Sequence, residues 1–221
     1  LPVTRGFDPH WGTEDVIAFN LEGALFTVSP AGGDPVRWSS TDSLNARLPF
    51  LLPTGKAIVF SARGGNDHTL MVLDLSSGRV ASLGLEGSNP RYVPSGYLLF
   101  GHRQQAVMAV PFDPGRLEVT GEAFTALPEV AWRVLGETMF TVSDNGTALY
   151  SMGAASGGDG RLVEVAMDGS SSETLPLVPG VFEEPRYSPD GRHIAYTSDD
   201  GRIWTYDRET GAKAHIADGE K

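Results

Sequence analysis

The chain has 221 residues and no cysteine, and its 17 Lys+Arg stand against 28 Asp+Glu, a net charge of −11. The missing thiols remove disulfides, thiolate nucleophiles and Cys-ligated zinc. The acidic balance without a Lys/Arg cluster argues against nucleic acid, and no apolar run approaches the ~20 residues of a membrane-spanning helix.

Taken in chain order, one unit recurs. Leu1–Thr4 reads as the closing strand of an earlier blade, and an opening on Leu1 reads as a processed product or a piece of something longer. Pro9-His10-Trp11 leads to a turn at Asp15 and then Ile17-Ala18-Phe19. Pro49-Phe50-Leu51-Leu52-Pro53-Thr54-Gly55 precedes Ile58-Val59-Phe60, and Pro90-Arg91-Tyr92-Val93-Pro94-Ser95-Gly96 precedes Leu98-Leu99-Phe100. Phe140-Thr141-Val142-Ser143-Asp144-Asn145-Gly146 precedes Ala148-Leu149-Tyr150. Pro185-Arg186-Tyr187-Ser188-Pro189-Asp190-Gly191 precedes Ile194-Ala195-Tyr196. In each copy a strand enters a tight turn, where Pro presets φ and Gly accepts a positive φ. A second strand ends on an aromatic, and a third runs into an Asp/Ser/Gly turn such as Asp74-Leu75-Ser76-Ser77-Gly78 before a fourth closes the unit.

Four short antiparallel strands repeated in tandem every ~40–45 residues describe a β-propeller blade. The expectation is an all-β propeller with blades at about 9–38, 49–83, 90–127, 140–175 and 185–217, all within a single region 1–221. A closed five-blade ring is one reading, but the five blades fit better as an arc of a six- to eight-blade ring, because the last copy already holds its own fourth strand. The repeated apolar and aromatic positions are read as core.

The turn Tyr187-Ser188-Pro189-Asp190-Gly191 with Ile203-Trp204-Thr205-Tyr206-Asp207 resembles the repeat of TolB-type, WD-like bacterial propellers. Three further stretches are similar to the propellers that follow the kinase and membrane segment of some bacterial serine/threonine protein kinases. These are Pro90 to Phe100, Pro111-Phe112-Asp113 through Leu117-Glu118-Val119-Thr120-Gly121-Glu122, and Phe140 to Thr147. The resemblance implies a non-catalytic sensor or docking module in an extracytoplasmic or periplasmic setting. Its partner would be a protein, a peptide or an envelope component. The alternatives are the gating propeller of a prolyl-oligopeptidase-like hydrolase and a TolB-like periplasmic scaffold.

Catalytic and cofactor readings find no support in the residues. There is no Gly-x-Ser-x-Gly elbow, and His102-Arg103 is followed by Gln104 where a kinase would need its Asp. The five histidines show no zinc-helix spacing. Glu14-Asp15, Glu183-Glu184 and Asp199-Asp200 read as turn or surface acids, and Asn145-Gly146-Thr147 as a tight turn. No metal, cofactor or catalytic residue is assigned. Asp74, Asp113, Asp168 and Asp207 recur at the end of the third strand, which reads as a turn-forming role.

A site is instead located by the meander. First and third connections are tight and alike, whereas second connections (20–24, 61–69, 101–105, 151–161, 197–202) and the 128–139 link vary. Variation concentrated at one end marks a binding face. That face is expected to carry Arg63, Asp67, His68, His102, Arg103, Trp132, Arg133, Asp159, Asp199 and Arg202. Trp132-Arg133 is the anchor, since Trp and Arg are enriched among interface hot spots.

Overall fold

A computed structural model describes residues 7–12, 15–65, 67–132, 138–143, 147–152, 160–166, 170–188 and 190–218. Apart from one 3-10 turn at Ser39–Thr41, every described element is a strand. Blade 1 is β1 (Phe7–Trp11), β2 (Ile17–Leu21), β3 (Ala24–Val28) and β4 (Val36–Trp38). Blade 2 is β5 (Ala46–Leu51), β6 (Ala57–Gly64), β7 (Asp67–Asp74) and β8 (Val80–Glu86). Blade 3 is β9 (Ser88–Val93), β10 (Tyr97–His102), β11 (Ala106–Asp113) and a divided outer strand, β12 (Glu118–Val119) and β13 (Phe124–Leu127), both paired with β11. Blade 4 is β14 (Phe140–Val142), β15 (Thr147–Met152), β16 (Arg161–Ala166) and β17 (Ser172–Thr174). Blade 5 is β18 (Glu183–Tyr187), β19 (His193–Thr197), β20 (Arg202–Asp207) and β21 (Lys213–Asp218). Each is an antiparallel meander, so the protein is a β-propeller of five four-stranded blades. The expected remnant strand Leu1–Thr4 lies outside the described residues.

By its contacts the chain forms two compact units, one of residues 1–103 and 108–125, the other of 104–107 and 126–221. The first unit is held by strands buried on both faces. Alternate side chains of a strand point to opposite faces, and β6 uses both. Ile58 and Phe60 pack with Ala18, Leu25 and Leu51 against blade 1, while Ala57 and Val59 pack with Leu98, Phe100, Val110 and Phe112 against blade 3. A strand covered on both sides reads as a continuous apolar run, which is why Ala57-Ile58-Val59-Phe60 shows no alternation. In the second unit Leu149 and Leu162 of blade 4 pack against Phe182, Ile194, Tyr196 and Tyr206 of the blade 5 region. The aromatic expected to end each second strand (Phe19, Phe60, Phe100, Tyr150, Tyr196) instead lies inside it, because the ladder runs on through one to four further residues, and it is buried in every blade.

The opening strands carry a feature that the repeat did not announce. In β1, β5 and β9 the register slips just before the recurring proline. There Asp8, Leu48 and Asn89 take φ of 54°, 52° and 52°, a left-handed conformation that L residues avoid. Such a bulge bends the strand and redirects its side chains. Asp8 uses the bend. Its Oδ2 accepts from Asn20 Nδ2 at 2.6 Å, from Arg47 Nε at 3.0 Å and from the Leu48 amide at 3.2 Å, tying blade 1 to blade 2.

Candidate functional site

The second connections of blades 2 and 3 come together at one end of the first unit. The 61–69 stretch, expected as a loop, is the end of a long hairpin. The β6–β7 ladder continues through Arg63↔His68 to Gly64↔Asp67 and turns at Gly65, whose φ is 66°. Polar residues extend a ladder whose backbone hydrogen bonds need no apolar side chains, so the alternation that marks a buried strand is absent there. Arg63, Asp67 and His68 are therefore strand residues, as is His102 at the end of β10.

The hairpin is held from both sides. The Arg63 amide donates to the Leu44 carbonyl at 3.1 Å, and Arg63 Nε donates to the Gly65 carbonyl at 3.1 Å. The His68 carbonyl accepts from the Gly87 amide at 2.9 Å. Gly87 fits this crossing because an added Cβ would lie 2.4 Å from Phe100 Cδ2 and 2.7 Å from the Gly101 carbonyl oxygen. From the β10–β11 turn, Arg103 reaches Asp67 at 3.5 Å and Glu86 at 3.9 Å. All three side chains are about two-thirds exposed, so their pairing is worth less than ~1 kcal/mol to stability and leaves the charges open to a partner. His68 is buried, and no group of three or more His, Asp or Glu placed for a metal occurs among the described residues.

The remaining expected residues lie in the second unit. Trp132 is half-buried and bridges to Thr138 across its own link. Asp199 is exposed in the β19–β20 turn, and Arg202 opens β20 with Nη1 3.0 Å from Asp200 Oδ2. Arg133 and Asp159 lie outside the described residues, as do Glu14, Asn145, Gly146 and Asp168.

The recurring aspartates hold turns. Asp74 accepts from the Ser76 amide and from the Ser76 and Ser77 hydroxyls at 2.7–2.8 Å, and these bonds lower its pKa from 3.8 to about 2. Asp113 accepts from the Gly115 and Arg116 amides. Asp207 accepts from the Glu209 and Thr210 amides and from Arg192. The Thr210 amide, followed by Arg192, lowers its pKa to about 2. Asp200 does the same work, with the Ser198 hydroxyl lowering its pKa first and the Arg202 amide second. One further cluster is structural. Tyr187 Oη donates to Glu164 Oε1 at 2.5 Å, Arg208 Nε pairs with the same oxygen at 2.9 Å, and the guanidinium lies 5.5 Å from the Tyr187 ring centre. Burial, then the bond to Glu164, pushes the Tyr187 phenol well above its ordinary range.

Among solved structures this fold is similar to TolB from Acinetobacter baumannii, with a TM-score of 0.74 and 18% identity over 98% of this chain and 55% of that one. It is also similar to a TolB from Agrobacterium tumefaciens described as putative, with a TM-score of 0.72 and 18% identity over 96% of this chain and 80% of that one. A tricorn protease matches with a TM-score of 0.58 and 17% identity over 97% of this chain but only 21% of its own. The chain thus spans little more than half the length of the Acinetobacter TolB. At these identities the likeness is one of fold: a TolB-type β-propeller. No family model and no curated protein sequence matches the chain.

Proposed function

We propose that this propeller is a non-catalytic binding module that recognises a protein, a peptide or an envelope component through the second-connection end of blades 2 and 3. The observation that carries the reading is the projecting β6–β7 hairpin beside the β10–β11 turn, with Arg63, Asp67 and Arg103 on a rigid, two-sided scaffold. Sites on strands held by packing are more sharply placed than sites on free loops. Trp132, Arg133, Asp159, Asp199 and Arg202 are proposed as contact residues of the second unit taken by itself. The resemblance to kinase-associated propellers supports a role as the sensor end of a bacterial receptor-type serine/threonine kinase, in an extracytoplasmic or periplasmic setting. No described helix is long and apolar enough to cross a membrane. A match within a nidogen/laminin complex, with a TM-score of 0.62 at 13% identity, supports a protein-recognition role for such a scaffold.

The second reading, a gating or scaffolding propeller within a larger hydrolase, is supported by the tricorn protease match. A third element of the proposal concerns size. Trp11 is 62% exposed, whereas the equivalent Leu51 is 3% exposed. The uncovered Trp11 supports a further blade packed beside blade 1, as in a larger ring.

The test is quantitative capture from an envelope extract of the source organism by the wild-type chain and by Arg103→Glu. The reading predicts one saturably captured partner and at least ~10-fold weaker capture by the variant, as expected for loss of a charge-assisted contact. Undiminished capture by Arg103→Glu, or peptide hydrolysis by the chain alone, contradicts it.

A further inference from the structure

The opening strands of blades 1 and 2 meet at a seam, and a histidine joins them just beyond the recurring proline. Successive amides of a strand point to opposite edges. At the end of β5 the Leu52 amide donates to the Ala57 carbonyl of its own blade at 2.9 Å. The Leu51 amide points the other way and donates across the seam to His10 Nδ1 at 3.0 Å. Leu51 is buried, so this donor is costly to leave without an acceptor. The His10 ring also packs on Phe50, with ring centres 4.3 Å apart.

An imidazole nitrogen that accepts a hydrogen bond carries no proton, so His10 is neutral in this geometry. Protonation would make Nδ1 a second donor facing the Leu51 N–H. The charged groups around the ring do not offset that loss. Asp8, from β1 itself, is paired with Arg47 of β5 at 3.0 Å. β2 carries no ionisable residue, and Asp15 in the β1–β2 turn is exposed. From β9, Arg91 brings its guanidinium to 5.6 Å from the Phe50 ring centre, so a charged His10 would set a second cation against that ring. The repeat makes the seam singular. The residue after the recurring proline is His10, Phe50, Arg91 or Arg186. Of these side chains the imidazole alone changes charge between about pH 5 and 8.

We propose that His10 is a pH-sensitive latch between blades 1 and 2, closed when the imidazole is neutral and released when it takes a proton. Release strands the Leu51 amide and loosens this end of the seam. Asp8 still holds the other end through Arg47 and the Leu48 amide. The released imidazole takes its proton near the ordinary value of about 6.5, and the closed one resists it. The latch is therefore at full strength above that pH and weakens by up to about tenfold per unit below it. It needs no partner and does not depend on what the propeller binds.

The test is amide hydrogen exchange of the full chain, followed residue by residue by NMR at about pH 7.5 and about pH 5, each rate corrected for the intrinsic pH dependence of exchange. Leu51 loses about 10-fold or more of its protection at the lower pH. Leu52, bonded within its own blade, keeps its protection. His10→Asn places Oδ1 where Nδ1 lies, an acceptor that does not titrate, and holds Leu51 protected at both pH values. A 15N titration of the wild-type imidazole gives a second reading that needs no variant to fold. It shows Nδ1 unprotonated at about pH 7.5 and gaining its proton as Leu51 protection falls. The proposal is overturned if Leu51 protection does not change, if Leu52 falls as far, or if His10→Asn loses protection in parallel with the wild type. It is equally overturned if Nδ1 already carries a proton at about pH 7.5.

Discussion

Asp74 and Asp207 each replace backbone partners in a tight turn with a charged carboxylate, and both are held at about 2 against an ordinary 3.8. A depressed carboxyl stabilises the fold above its unfolded pKa, and the contribution is lost as pH falls through the folded value. Asp207→Asn is therefore less stable than wild type at neutral pH, and the difference closes as pH approaches 2. Urea midpoints along that range check the sign. The Tyr187–Glu164–Arg208 cluster makes a separate prediction. Glu164→Leu leaves the half-buried Tyr187 phenol without its acceptor, while Arg208 keeps the Gly191 carbonyl, and costs about 1–2 kcal/mol, read from the same midpoints. The aspartates were legible in the sequence because a turn-forming Asp recurs in four of the five copies. The left-handed residues were not: Asp8, Leu48 and Asn89 share a backbone conformation but no chemistry. Only the proline that follows each one marks the place. Leu48→Asn, which suits a positive φ better, raises stability by roughly 0.5 kcal/mol.

At the scale of elements, the central strands were legible from their continuous apolar runs and the turns from Pro, Asp and Gly. The β6–β7 hairpin was misread because its outer half is polar. Arg63-Gly64 and Asp67-His68 pair in register without any alternation to signal it. The division of blade 3's outer strand into β12 and β13 was illegible for a related reason, since it depends on where β11 finds partners and not on local composition. Burial decides the cost of substitutions here. Phe60→Ala removes a fully buried ring shared between blades and costs about 3–5 kcal/mol. Gly87→Ala places a methyl against Phe100 and the Gly101 carbonyl and costs about 1–3 kcal/mol. Both are read by denaturant unfolding.

At the scale of the whole molecule, five blades, a TolB-type likeness of 0.72–0.74 and a span of 55% of one TolB chain define the fold but leave function to surfaces. Propellers share a frame and differ in what their connections present. The candidate site was half legible. The ends that vary were readable from loop lengths, but the joining of Arg103 to Asp67 and Glu86 needed three dimensions. The measurement that bears most directly on the binding-module account is hydrogen–deuterium exchange of the chain with and without its captured partner. The account predicts protection at residues 61–69 and 101–105, with the 74–79 turn at the opposite end of these blades unchanged. Protection elsewhere, with those two stretches exchanging as in the free chain, would contradict it.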